Sequence, residues 1–267
     1  MSSIDQVFAE LRDANRKAFI PFVTAGDPSL DATAAVLKEL SSRGGSICEL
    51  GIPYSDPIAD GPVIQASYTR ALDRKIKLSQ ILDMANQTTP QMTAPLVTMV
   101  SYAIILRHGP EEYVRRAKAA GVAGAIVPDL LVEESADFAK LCQREDFSLI
   151  QLVTPTTSRE RALRIAETST GFIYYVSVAG ITGERTALPA DLLDNVAWLR
   201  NQTKVPICIG FGISRPEHVR TLKKVADGVI VGSAIVRRMS EIGEKPQDQV
   251  IDEVGAYAET LIEALNE

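Results

Sequence analysis

Cysteine, histidine and tryptophan are scarce in this chain: three, two and one among 267 residues. Cys48, Cys142 and Cys208 sit in apolar or helical contexts without metal-ligand or redox spacing, which excludes a disulfide-stapled miniature and fits a reducing compartment. His108 and His218 belong to no compact ligand pattern, so a metal site or a hydrolase triad would require long-range pairing that nothing in the sequence supports. Basic residues are outnumbered 28 to 34, leaving a net charge of -6, and no concentrated basic run occurs. Extensive nucleic-acid binding is therefore excluded, whereas one small phosphate-bearing substrate needs only a local pocket. No run approaches the roughly 18 apolar residues of a membrane span. Residues 1–6 lack the basic region and apolar core of a secretory signal, so cytoplasmic localisation is the expectation.

What is present is an ordinary core composition, 46% hydrophobic, arranged in a strand and helix rhythm. Eight short apolar runs read as strands buried on both faces: Phe19 to Thr24, Ser46 to Leu50, Leu96 to Tyr102, Ala125 to Pro128, Leu149 to Thr154, Phe172 to Val178, Ile207 to Phe211 and Val229 to Gly232. Between them lie helical patterns. Leu30, Thr33, Leu37 and Leu40 share one face before Gly44-Gly45, and Pro110 opens a helix that stops at Gly121. This alternation predicts an α/β fold, a closed (β/α)₈ TIM barrel forming a single domain over residues 1–267; an open doubly wound sheet is the competing architecture. Ile4, Val7, Phe8 and Leu11 predict an additional N-terminal helix under the barrel, and Val250 to Leu265 a closing helix; both faces could instead serve a partner. The long second connection predicts an inserted active-site segment between Asp56 and Asp73 and a peripheral helix from Ser79.

Glu49 closes an apolar strand at the end where barrel enzymes keep their chemistry. Burial there would raise its pKa and suit it to proton exchange, while a solvent-facing Glu would need no explanation. The stiff loop Asp56-Pro57-Ile58-Ala59-Asp60-Gly61-Pro62 adds two carboxylates. Asp56 reads as a turn former and Asp60 as the better catalytic partner, because Gly61 permits close approach. Gly212, after the seventh strand, and Gly232 and Ser233, after the eighth, stand where barrel turns commonly cradle phosphate with backbone amides; plain turn packing is the alternative. Neither a Walker loop nor a dinucleotide fingerprint is complete, so ATP and NAD are not favoured. Tyr174 and Tyr175 point to opposite sides of their strand, one inward and one toward the helices, and Phe22, Ile126 and Phe211 would pack around an aromatic ligand if they converge.

Pro21 to Pro28, Glu49 to Pro62, Tyr174-Tyr175-Val176-Ser177, Gly210 to Ser214 and Gly232 to Val236, in that order, resemble the tryptophan synthase alpha chain family over nearly the full length. The resemblance implies a TIM-barrel lyase that cleaves indole-3-glycerol phosphate into indole and glyceraldehyde 3-phosphate. It also implies a beta-chain partner in an α2β2 heterotetramer. Pyridoxal phosphate is expected in that partner, and no cofactor or metal in this chain. By resemblance Glu49 is the acid/base, and Asp60 stabilises charge at the indole N–H. Gly183, Gly212, Gly232 and Ser233 receive the phosphate, Phe22 and Tyr174 hold the indole with Phe211 packed near it, and Thr182 lies on a closing loop. Ala103 and Val178 depart from the Asn and Arg that relatives commonly carry, which bears on coupling to the beta chain and on loop closure. An independent lyase releasing free indole, or a noncatalytic subunit that keeps the pocket, are the alternatives.

Overall fold

The computed structural model describes residues 2–57, 60–177, 189 and 191–267. Its strands are β1 (Ala18–Thr24), β2 (Cys48–Gly51), β3 (Leu96–Met99), β4 (Val122–Ile126), β5 (Ser148–Ile150), β6 (Leu152–Val153), β7 (Ile173–Val176), β8 (Ile207–Gly210) and β9 (Gly228–Val231). All pairings between them are parallel, and the sheet order is β5-β4-β3-β2-β1-β9-β8-β7-β6. β5 and β6 are the two halves of the predicted fifth strand, parted at Gln151. The first half bonds to β4 and the second to β7, so the eight expected strands close into a barrel of two arcs that share β1. Buried Gln151 bridges the break: its carbonyl accepts the Tyr174 N–H at 3.0 Å and its side-chain amide donates to Thr168 Oγ1 at 2.6 Å.

Two cores follow from the alternation of side chains along each strand. On β1, Ala18, Ile20 and Phe22 enter the barrel interior, whereas Phe19 and Val23 pack under the helices. The N-terminal helix Ser3–Asp13 plugs the bottom of the interior with Ile4 and Phe8, the latter ring lying 6.0 Å from Phe172. Ser2 starts that helix with a reciprocal capping box to Asp5, satisfying two amides that the first turn leaves without acceptors. The closing helix Gln247–Asn266 packs on Leu30–Ser42, and Arg43 ties the two together through Glu39, Asp252 and Glu259.

The second connection carries two helices, Pro62–Asp73 and Leu78–Thr88, as expected. Two strands differ from their expected bounds: the fourth runs Val122–Ile126 where Ala125 to Pro128 is expected, and the third is shorter. The third predicted strand stops at Met99, and Tyr102 opens the helix Tyr102–His108 instead of ending the strand. Ser101 is the reason. Its Oγ accepts from the Ala103 N–H at 3.3 Å, while Asp129, on the loop after β4, accepts from Ser101 Oγ at 2.6 Å and from the Tyr102 N–H at 2.7 Å. Two acceptors for first-turn donors end the strand before Tyr102, where the apolar run Leu96 to Tyr102 reads as strand.

Candidate active site

Glu49 reaches the interior because it alternates with Cys48 and Leu50, which pack outward; in the sheet it lies between Phe22 of β1 and Val97 of β3. It is fully buried, and neither carboxyl oxygen has a hydrogen-bond partner among the described residues. Loss of hydration, reinforced by the nearby Asp60 carboxyl, pushes its pKa up to about 8. A carboxylic acid that keeps its proton at neutral pH can deliver that proton to substrate. Asp60 sits just before the helix Pro62–Asp73, held by its backbone: its N–H donates to the Pro57 carbonyl at 3.0 Å and its carbonyl accepts from Gln65 Nε2 at 2.6 Å. Burial raises this carboxyl only to about 6, so it is ionised where Glu49 is not. Two carboxyl groups whose environments push their pKa values apart have the makings of an acid and an electrostatic partner.

A cleft opens over both carboxyls. Phe22, Ile64, Met99 and Ile230 give it apolar walls, and Tyr174 enters from β7 with Phe211 edge-on to it at 6.0 Å and 82°. Tyr175 turns outward into the helix layer, as the strand alternation requires. Gly210 has no side chain for a reason: a Cβ there would lie 2.3 Å from the Tyr174 hydroxyl. The following turn is strained, with Phe211 and Gly212 both at positive φ, 74° and 75°. A bulky residue rarely adopts that conformation unless its surroundings impose it. Here Ser177 does so, donating its N–H to the Gly210 carbonyl at 3.0 Å and its Oγ to the Phe211 carbonyl at 2.6 Å. Across the cleft Gly232 and Ser233 begin the helix Ser233–Met239, which carries no side-chain cap; Ile235 donates its N–H to the Gly232 carbonyl at 2.8 Å, which leaves the Ser233 and Ala234 amides for a ligand at this edge.

The structure thus gathers Phe22, Glu49, Asp60, Tyr174, Phe211, Gly212, Gly232 and Ser233 around one cleft. Thr182, Gly183 and Val178 lie outside the described residues. Ile126 belongs to the interior core but does not line the cleft, and Asp56 is exposed with Ser55 Oγ donating to it at 2.5 Å. Ile64, Met99, Ile213 and Ile230 line the cleft without having been singled out in the sequence; only Ile64, one helical turn beyond Asp60, had a positional signal. Among the described residues no cluster of metal-ligating side chains occurs.

A closed parallel barrel with an acid and a carboxylate at one mouth, aromatic walls and an amide-lined opposite edge is an acid–base enzyme for a small, partly aromatic anion. The comparisons agree on which. The family model for the tryptophan synthase alpha chain matches residues 8–266. The tryptophan synthase alpha chain of Rhodopirellula baltica is 58% identical over 97% of this chain and 94% of its own. Among solved structures, tryptophan synthase of Mycobacterium tuberculosis superposes with a TM-score of 0.90 at 29% identity, covering 100% of this chain and 99% of that one. The tryptophan synthase α2β2 complex of Pyrococcus furiosus gives 0.85 at 36% identity, covering 93% and 99%. The chain belongs to the tryptophan synthase alpha chain family.

Proposed function

We propose that Glu49 and Asp60 carry out the retro-aldol cleavage of indole-3-glycerol phosphate to indole and glyceraldehyde 3-phosphate, the lyase step by which this family serves tryptophan synthesis. Protonated Glu49 gives its proton to indole C3, and the ring nitrogen takes up the positive charge. Ionised Asp60 meets that N–H and stabilises the charge where it develops. The bond from C3 to the side chain then breaks, its electrons return to the ring, and the hydroxyl proton returns to Glu49 as the aldehyde forms. One carboxyl group serves as acid and then as base.

The observation that carries this reading is the pair of unequal carboxyls, about 8 and about 6, facing a single aromatic-walled cleft. Phe22, Tyr174 and Phe211 hold the indole, and the Gly212, Gly232 and Ser233 backbone receives the phosphate with Gly183; Thr182 belongs to the closing segment. Residues 1–267 act as one domain. The chain works with a beta chain in an α2β2 assembly, pyridoxal phosphate belonging to that partner and no cofactor to this chain, and it resides in the cytoplasm. The Pyrococcus furiosus complex supports the pairing, and buried free cysteines at 48, 142 and 208 suit a reducing compartment. Half-exposed Leu131 lines a groove running to Val176 and Phe211 at the cleft, an apolar surface suited to that partner. Purified chain releases indole from indole-3-glycerol phosphate, faster as beta chain is titrated in. A folded chain that releases none under either condition refutes the reading.

A further inference from the structure

Tyr68 presents a problem that the mechanism so far leaves unsolved. It is 1% exposed, and its hydroxyl has no hydrogen-bond partner among the described residues. A buried hydroxyl without a partner costs about 1–3 kcal/mol, a cost that Phe would avoid at the same volume. The hydroxyl is also not in an ordinary packing position. A Cβ placed on Gly51 would come within 2.9 Å of it and within 2.4 Å of the Phe22 ring. Residue 51 shares its strand face with Glu49, two positions earlier on β2. The Tyr68 hydroxyl therefore fills the space that a side chain at Gly51 would take, next to Glu49 on the interior wall.

The helix Pro62–Asp73 explains how it gets there. Asp60, Ile64 and Tyr68 follow one another at intervals of four, so they continue one row along the helix and its approach. Ile64 lines the cleft between them, and the Tyr68 ring is steadied by Tyr54, whose centroid lies 5.6 Å away at 54°. The groups facing this space come from every side: Glu49 on β2, Tyr54 and Asp60 on the loop after it, and Tyr174 on β7, with Asp56 and Asp129 beyond Tyr54. Burial first, then Asp60, Tyr54 and Glu49, hold the Tyr68 proton far more tightly than in water, so the group is a donor and never an anion at working pH. A donor needs an acceptor, and of the two site carboxyls Glu49 keeps its own proton at neutral pH whereas Asp60 does not.

We propose that Tyr68 is a positioning residue for Asp60, its hydroxyl donating to the carboxylate and holding it ionised and aimed at the indole N–H while substrate occupies the cleft. The inference rests on the role of Asp60 given above. It assigns a third polar group to the site, one that acts through the carboxylate and not on the substrate.

The test compares wild type, Tyr68→Phe, Asp60→Asn and the double variant, each assayed for indole release with saturating beta chain across pH 5 to 9. Tyr68→Phe is expected to lower kcat about tenfold, the effect of one lost hydrogen bond to a charged group. KM stays within about twofold, and the acid limb of kcat moves up by about one pH unit, because in the substrate complex Asp60 loses the donor that favours its charged form. Thermal stability is expected to hold or rise, since an unpartnered hydroxyl has been removed from the core. In the Asp60→Asn background the same substitution costs nothing further. Wild-type kcat and an unmoved acid limb in Tyr68→Phe overturn the role of Tyr68 alone, as does an undiminished Tyr68 effect in the double variant. Wild type without indole release, or Asp60→Asn with wild-type turnover, overturns the reading of the site and this proposal with it. If Tyr68→Phe does not fold, ring-carbon NMR of tyrosine-labelled wild type against Asp60→Asn reads the same contact: the Tyr68 resonance of the substrate-analogue complex shifts, and an unresponsive resonance refutes it.

Discussion

Replacing Glu49 with Gln tests the buried acid by its effect on stability as well as on turnover. The carboxyl ionises near 4.5 in an unfolded chain and near about 8 in the folded one. Because the folded pKa is the higher, the folded state binds more protons between these values, and stability falls as pH rises. The loss begins above about 4.5, reaches about 3 kcal/mol at pH 7 and levels off near 5 kcal/mol above pH 8, at about 1.4 kcal/mol per pH unit of the gap. Gln keeps the shape and cannot ionise, so this pH-dependent component vanishes. Asp60 contributes its own window between 3.8 and about 6 to both proteins, so the difference between them isolates Glu49. Reversible urea unfolding at intervals from pH 4 to 9 is the assay. The variant should overtake wild type as pH rises, by an amount equivalent to on the order of 10 °C in Tm at pH 9. Its kcat for indole release should fall by about 10² to 10⁴ over the same range. Parallel stability curves would refute the claim that the folded protein buries Glu49 as a neutral acid.

The same two carboxyls predict a bell in kcat/KM with limbs near about 6 and about 8: activity is lost below the first as Asp60 gains a proton and above the second as Glu49 loses one, and a profile flat from pH 5 to 9 counts against both. Gly210→Ala drives a methyl group into Tyr174, so kcat/KM should drop about tenfold or more with circular dichroism unchanged; wild-type kinetics would show that Tyr174 can vary its position freely. Arg70 makes two bonds, 2.8 and 2.7 Å, to the Asp27 carboxylate, whose side chain is 1% exposed. Arg70→Ala should lower unfolding free energy by about 2–4 kcal/mol, the half-exposed guanidinium placing it below a fully buried pair, and Asp27→Asn added to it should recover much of the loss.

The barrel was legible because its strands are buried on both sides and therefore written in apolar runs: each of the eight expected runs overlaps a strand. Glu49 stood out as the one charge in such a run, and alternation alone set Tyr174 and Tyr175 on opposite faces, without saying which of them enters the barrel. What stayed hidden depends on groups far apart in sequence. The helix from Tyr102 is secured by Asp129, 27 positions away, which no local pattern could supply. The gap in the fifth strand at Gln151 arises because its two halves bond to different neighbours. The strained turn at Phe211 is held by Ser177, and Tyr68 is meaningful only because Gly51 leaves it room. Gly51 and Gly210 end β2 and β8, and in space each marks where a tyrosine from another element comes to rest.

The two arcs that meet at β1 and at Gln151 also partition the chemistry. The arc from β1 to β5 bears both acids, while β6 to β9 bear Tyr174, the bent Phe211-Gly212 backbone and the Gly232-Ser233 edge. Each fragment of a polypeptide severed at Gln151 would hold half of a vocabulary, the two carboxyls without the glycine edge or the glycine edge without the carboxyls. Lyase activity should then return only when the fragments reassociate, which makes catalysis a direct report on the joining of half-barrels.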